Sequence, residues 1–193
     1  MKLTKIIMAV CIIALTAGTT MAQSGRLSIG LEVAQPLGDF GDAGGTGFGG
    51  SLRYEFPMGD KLGLTLTAGY ITFGGKDQEF GGQTFEGPSI SIIPVQAGLK
   101  FYFKEQQAGL YIMGEIGMHS VSTGDVDGFE GSSNTGISYA PAIGFHMAKI
   151  DIGLRYQFFS QETSFDDGAG NIISESSTEG YIGLRVAFVF GGE

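Results

Sequence analysis

Beyond its first residues this chain has no cysteine. The single thiol, Cys11, lies inside an N-terminal apolar run, so no disulfide, zinc finger or cysteine nucleophile is available to the remainder. There is no tryptophan, and proline occurs only five times. After residue 22 no apolar stretch approaches the roughly 20 residues that a membrane-crossing helix requires. Glycine, serine or a charge interrupts every one, and neither heptads nor a long helical stripe appear. Bases are also few: Lys and Arg number 11 against 20 Asp and Glu, a net charge of -9. That balance excludes the basic stripe expected of a nucleic-acid partner.

The N-terminus has the layout of an export signal. Lys2 and Lys5 precede the apolar run Ile6 to Leu15, and small residues lead to Thr20-Met21-Ala22. The pattern predicts a cleavable secretory signal peptide over 1–22, leaving one domain over 23–193. A lipoprotein would carry its cysteine after the run, not within it.

What the chain does have is glycine, 34 residues, together with 15 Phe and 7 Tyr. They are distributed through segments of strict alternation. In Ile93-Pro94-Val95-Gln96-Ala97-Gly98-Leu99-Lys100-Phe101-Tyr102-Phe103 every odd position is apolar, and Lys100 stands on the other parity. A period of two marks a strand with two different faces. Eight such runs occur, near 26–35, 47–57, 62–73, 88–104, 108–121, 135–148, 150–161 and 178–190.

The connections alternate in length. Met58 to Lys61, Glu105 to Gln107 and the turn at Ala148-Lys149 are short, whereas 36–46, 74–87, 122–134 and 162–177 are long and rich in Gly, Ser and acid. This rhythm predicts an all-β, eight-stranded, antiparallel up-and-down barrel with its tight turns at one end and its long loops at the other, the layout of a transmembrane β-barrel. Closure follows from the solvent, because hydrocarbon offers nothing to satisfy an open sheet edge.

One parity of every strand is free of charge, as in Leu27-Ile29-Leu31-Val33 and Ile150-Ile152-Leu154-Tyr156-Phe158. The other holds Glu32, Glu55, Glu115 and Asp151 against Arg53, Lys100, Arg155 and Arg185, set among glycines. Four acids against four bases suit a confined interior, where an unpaired charge is costly. A water-soluble barrel would scatter Lys and Glu densely over its outer face. The apolar row is therefore assigned to lipid and the eight charges to an internal network. Aromatic girdles are expected at both interfaces: Tyr54, Phe56, Phe101, Phe103, Phe158, Phe188 and Phe190 at the turn end, and Tyr70, Phe73 and Tyr139 at the loop end.

The C-terminal run Tyr181-Ile182-Gly183-Leu184-Arg185-Val186-Ala187-Phe188-Val189-Phe190 resembles the last-strand signal read by the barrel-assembly machinery of Gram-negative outer membranes, with Tyr181, Gly183, Val186, Phe188 and Phe190 at its marked positions. Three residues follow Phe190, where many relatives end on the aromatic. The chain as a whole resembles the small eight-stranded outer-membrane β-barrel family, OmpX-like in size and PorT-like in its glycine-rich style. That resemblance implies a monomer in the bacterial outer membrane, inserted by the assembly machinery, with its N-terminus toward the periplasm. It also implies contact with outer-membrane lipids and lipopolysaccharide, and an unidentified extracellular or periplasmic partner.

Motifs for chemistry are thin. His119, Ser120, Ser122 and Glu115 could suggest a lipid-modifying hydrolase, but His119 and His146 fall on the interior parity. Asp125 to Glu130 and Asp166 to Asn171 read as solvated acidic loops that lack the spaced ligands of a calcium loop. Gly44 to Gly50 lacks the Lys-Ser/Thr of a phosphate loop. No catalytic, cofactor or metal residue is assigned. The expectation is a structural or interaction barrel filled with side chains, since eight strands leave room for little else. The alternatives are a narrow channel, a lipid-modifying enzyme and a soluble secreted barrel.

Overall fold

A computed structural model of the protein describes residues 25–76, 78–80, 83–85, 87–124, 133–166 and 172–192. The segment 1–22, the acidic stretch 125–130 and the turn 167–171 lie outside these. In chain order the elements are β1 (Arg26–Leu37), a short helix α1 (Gly38–Ala43), β2 (Gly44–Met58), β3 (Leu62–Gly75), β4 (Gln78–Phe80), β5 (Gln83–Phe85), β6 (Ile90–Tyr102), a 3-10 turn (Glu105–Gln107), β7 (Gly109–Thr123), β8 (Ser133–Met147), β9 (Ile150–Asp166) and β10 (Ile172–Phe190).

Eight of these strands close into one barrel in the order β1-β10-β9-β8-β7-β6-β3-β2, while β4 and β5 form a separate small hairpin. Every neighbouring pair is antiparallel. β1 closes on β10 in a register running from Leu27 opposite Phe190 to Leu37 opposite Gly180.

The alternation read from the sequence becomes the two faces of the wall. Leu31 is 76 % exposed, and Ile116 and Ile137 are each 64 % exposed. The parity between them is buried and carries the charges. Water-soluble monomers rarely expose so extensive an apolar surface, which marks a face that meets membrane or protein. With hydrocarbon as the outer solvent the same surface is the favourable one.

The glycines make the narrow interior possible. A Cβ on Gly98 would come within 2.7 Å of the Glu115 Cγ, one on Gly30 within 2.9 Å of the Arg185 Nε, and one on Gly144 would collide with the Tyr111 hydroxyl. Glu115, Arg185 and Tyr111 thus each lie over a neighbour that has no side chain.

Two prolines loosen the ladder. β3–β6 pairing skips from Ala68–Val95 to Ile71–Ile92 beside Pro94, and β8–β9 pairing skips from Tyr139–Phe158 to Ala142–Arg155 beside Pro141. Proline has no N–H to give, which accounts for both gaps.

The structure departs from the sequence reading chiefly in the long connections. The segment 36–46 is not a loop: it contains α1 and the start of β2, joined through a register shift between Gly44 and Gly47. The segment 74–87 holds β4 and β5. Most of 162–177 is strand, because β9 and β10 stay paired out to Asp166 and Ile172. Above Gly180, β10 has no second strand partner among the described residues, so this hairpin rises beyond the wall as a two-stranded ribbon. Phe158 was expected at the turn end. It lies at the loop end, stacked on Tyr139 at 4.7 Å, because β9 starts at its tight turn and Phe158 is well along it.

Candidate functional site: a polar interior closed at both ends

Asp151, on β9 just after the tight turn, is the hub of the turn-end half. Its Oδ2 accepts from the Lys100 Nζ at 2.6 Å, and its Oδ1 accepts from the Tyr111 hydroxyl at 2.9 Å. The Arg185 Nη1 and Arg53 Nη1 stand 3.5 and 3.8 Å from the same Oδ1. Lys100 also reaches Glu55 at 3.3 Å, and the Tyr102 hydroxyl donates to Glu55 at 2.9 Å. The Lys100 ammonium lies 3.8 Å from the ring centre of Tyr111, adding a cation–π contact. Five strands contribute to this cluster, so no local segment could form it alone.

Beneath it the 3-10 turn folds inward. Buried Gln107 donates to the carbonyls of Leu62 and Gly59 at 2.6 and 3.0 Å, and Arg26 donates to the Gln107 carbonyl at 3.1 Å. Gln106 and Gln107 both take positive φ to make this turn.

A second group crosses the middle. The Arg53 Nη2 pairs with Glu115 at 3.3 Å, while the Thr67 hydroxyl accepts from the Arg53 Nε at 3.0 Å and donates to Glu115. A third joins Arg155 to Glu32 at 2.6 Å and to the Tyr181 hydroxyl at 3.1 Å. Arg185 donates to Ser51 and Ser28 at 2.8 and 3.0 Å. Charge-assisted bonds of this kind are what make buried ions tolerable.

The loop end is apolar. Ala34, Ile71, Phe73, Ile92, Val121, Phe159 and Tyr181 pack there around Phe40, which α1 presents into the mouth. The Phe40 ring meets Phe73 at 4.9 Å and Phe159 at 5.4 Å, both edge-on. Glu179 accepts from the Phe40 N–H at 3.2 Å, and Lys76 donates to the Gly41 carbonyl at 2.5 Å. These bonds hold the lid from two sides.

Several buried polar atoms of the interior have no hydrogen-bond partner among the described residues: Arg155 Nε and Nη1, Glu32 Oε1, Gln96 Oε1, Gln157 Oε1 and Thr65 Oγ1.

All eight charges singled out in the sequence point inward and are buried, and the structure brings them into one connected set. The five C-terminal residues divide: Tyr181 and Gly183 face the interior, while Val186, Phe188 and Phe190 face outward. His119 is buried against Phe159 at 5.2 Å, whereas Ser120 points out of the barrel toward Ser133, so the two share no site. Sequence reasoning missed Tyr102, Tyr111 and Thr67 as members of the network, although their parity marked them as inward. It also missed Phe40, for which Gly38-Asp39-Phe40-Gly41-Asp42 gave only the signal of an acidic turn.

The chain matches the model of the outer membrane protein β-barrel domain family over residues 7–188. No curated protein matches it. Among solved structures it is similar to Ail, the attachment invasion locus protein of Yersinia pestis, crystallised with the heparin analogue sucrose octasulfate, at 17 % identity and a TM-score of 0.54 over 88 % of this chain and 100 % of that one. It is also similar to the N-terminal β-barrel domain of Pseudomonas aeruginosa OprF, at 11 % identity and a TM-score of 0.51 over 86 % and 97 % of the two chains. At these identities the likeness is one of fold.

Proposed function

This chain belongs to the outer membrane protein β-barrel domain family and resides in the bacterial outer membrane, and from that premise we propose that it is a structural or interaction barrel and not an open pore. The observation that carries this reading is closure at both ends. Phe40 and its aromatic partners seal the loop end, Tyr102, Tyr111 and Gln107 fill the turn end, and balanced ion pairs occupy the space between. Partners would then meet the protein at its outer loops and ribbon. Ail was solved with a sulfated sugar. We do not extend that class of partner to this chain, whose loop end carries many acids and, of its bases, only Lys76.

A second reading, a narrow channel, is supported by the unsatisfied polar atoms on Arg155, Gln96, Gln157 and Thr65, which suit a file of water. Planar-bilayer recording separates the two. The first reading expects no discrete conductance steps from the refolded barrel. Reproducible ion steps that change in Lys100→Ala would overturn it. No catalytic step is proposed, since His119 and Ser120 lie on opposite faces of β7.

A further inference from the structure

Apart from Lys76, the exposed bases of the mature chain are gathered at one end. Arg53, Lys100, Arg155 and Arg185 are spent inside the barrel. Lys76, the base at the loop end, is bonded to the Gly41 carbonyl. The rest are at the tight turns. Lys61 lies between β2 and β3, Lys104 between β6 and β7, Lys149 between β8 and β9, and Arg26 at the corner where β1 meets β10. Arg26 is engaged by the carbonyls of Gln106 and Gln107 and stands 3.9 Å from Glu55. Lys61, Lys104 and Lys149 are exposed, and their ammonium groups make no hydrogen bond or ion pair with any described residue.

Each of these lysines adjoins an exposed apolar residue of the lipid-facing row: Leu62 (40 % exposed), Phe103 (51 %) and Ile150 (44 %). Asp60 and Glu105 share the same end but sit one residue nearer the turn tips, on shorter side chains. A lysine at such a border packs its methylene stem on the chain beneath it, as the Lys104 stem does over Gly109, and holds its charge at headgroup level. Successive corners are two strands apart, about 10 Å of wall, so each lysine addresses its own lipid.

The loop-end border is of another kind. There the outward row ends in uncharged groups that bond to one another, such as Thr46 to Gln35 at 3.1 Å, Tyr70 to Ser91 at 3.0 Å and Ser120 to Ser133 at 3.4 Å.

We propose that Lys61, Lys104 and Lys149 form a ring that binds the headgroups of anionic phospholipids in the periplasmic leaflet. This rests on the barrel reading above, with the tight turns toward the periplasm, and it names the lipid that the turn end takes. Near an anionic surface each lysine is worth about a fivefold preference.

The test is native mass spectrometry of the barrel released from nanodiscs of equimolar phosphatidylcholine and phosphatidylglycerol. The unaltered protein is expected to retain phosphatidylglycerol over phosphatidylcholine. The triple variant Lys61→Gln, Lys104→Gln, Lys149→Gln should lose that preference, and Lys76→Gln should keep it. Heat-dependent migration on a detergent gel establishes that each variant is a folded barrel. Equal retention of both lipids by the unaltered protein, or an undiminished preference in the triple variant, would overturn the ring. With lipid A added to the same nanodiscs, lysine-dependent retention of lipid A in preference to phosphatidylglycerol would overturn it too. A failure of the barrel reading itself would look different: no heat-dependent migration and no retained lipid of either kind.

Discussion

Asp151 occupies a place where a lone carboxylate would cost several kcal/mol, and it is held there by Lys100, Tyr111, Arg185 and Arg53 together. The energetic consequence is asymmetric. Replacing the whole group by apolar side chains of equal volume could be neutral, but removing the anion alone leaves Lys100, Arg53 and Arg185 in a narrow interior with one carboxylate too few. Asp151→Asn is therefore expected to lower the unfolding free energy by about 3–5 kcal/mol, measured by urea titration in lipid vesicles. Asp39→Asn, on the exposed face of α1, should stay within about 0.5 kcal/mol. Equal effects of the two would mean that the ion group does not stabilise the fold. At this scale the sequence was informative about which residues turn inward, because parity alone decides that. It was silent on who pairs with whom, because partners such as Arg155 and Glu32 are 123 residues apart and their meeting depends on barrel register.

The eight barrel strands are legible as elements for a simple reason. Each is a run long enough to cross a bilayer at a tilt, and its period of two has no competing explanation. The helix α1 is not legible, because six residues containing two glycines carry no helical period. What fixes it is tertiary: Phe40 finds an aromatic socket made by Phe73, Phe159 and Tyr181. The same holds for the upper ribbon, whose Ser- and Thr-rich strands read as a loop until pairing between β9 and β10 orders them. The lid is testable as an element. Residues 23–193 hold no native thiol, so Val121→Cys in a chain begun at Gln23 places a single reporter in the socket. With Phe40 present, a water-soluble maleimide should label it slowly. In Phe40→Ala the loss of about 3 kcal/mol of aromatic packing should speed labelling by about two powers of ten. Unchanged labelling would show that Phe40 does not close the mouth.

At the scale of the whole molecule one inversion organises everything else: apolar residues outside, ions inside. It follows from the solvent. Hydrocarbon accepts the Leu, Ile and Phe row and forces every backbone group into a closed ladder. The enclosed space is then the only place left for the charges, and they occupy it in balanced number with glycines opposite the largest side chains. The absence of disulfides is consistent with stability drawn from closure and interior pairing. Methyl-resolved NMR of the barrel in lipid nanodiscs tests this most directly, without altering any residue. The account expects cross-peaks from lipid acyl chains to the methyls of Ile152, Leu154 and Val186, and none to those of Ile71, Ile92 and Val121. Acyl-chain contacts on Ile92 and Val121, with Leu154 and Val186 shielded, would contradict it.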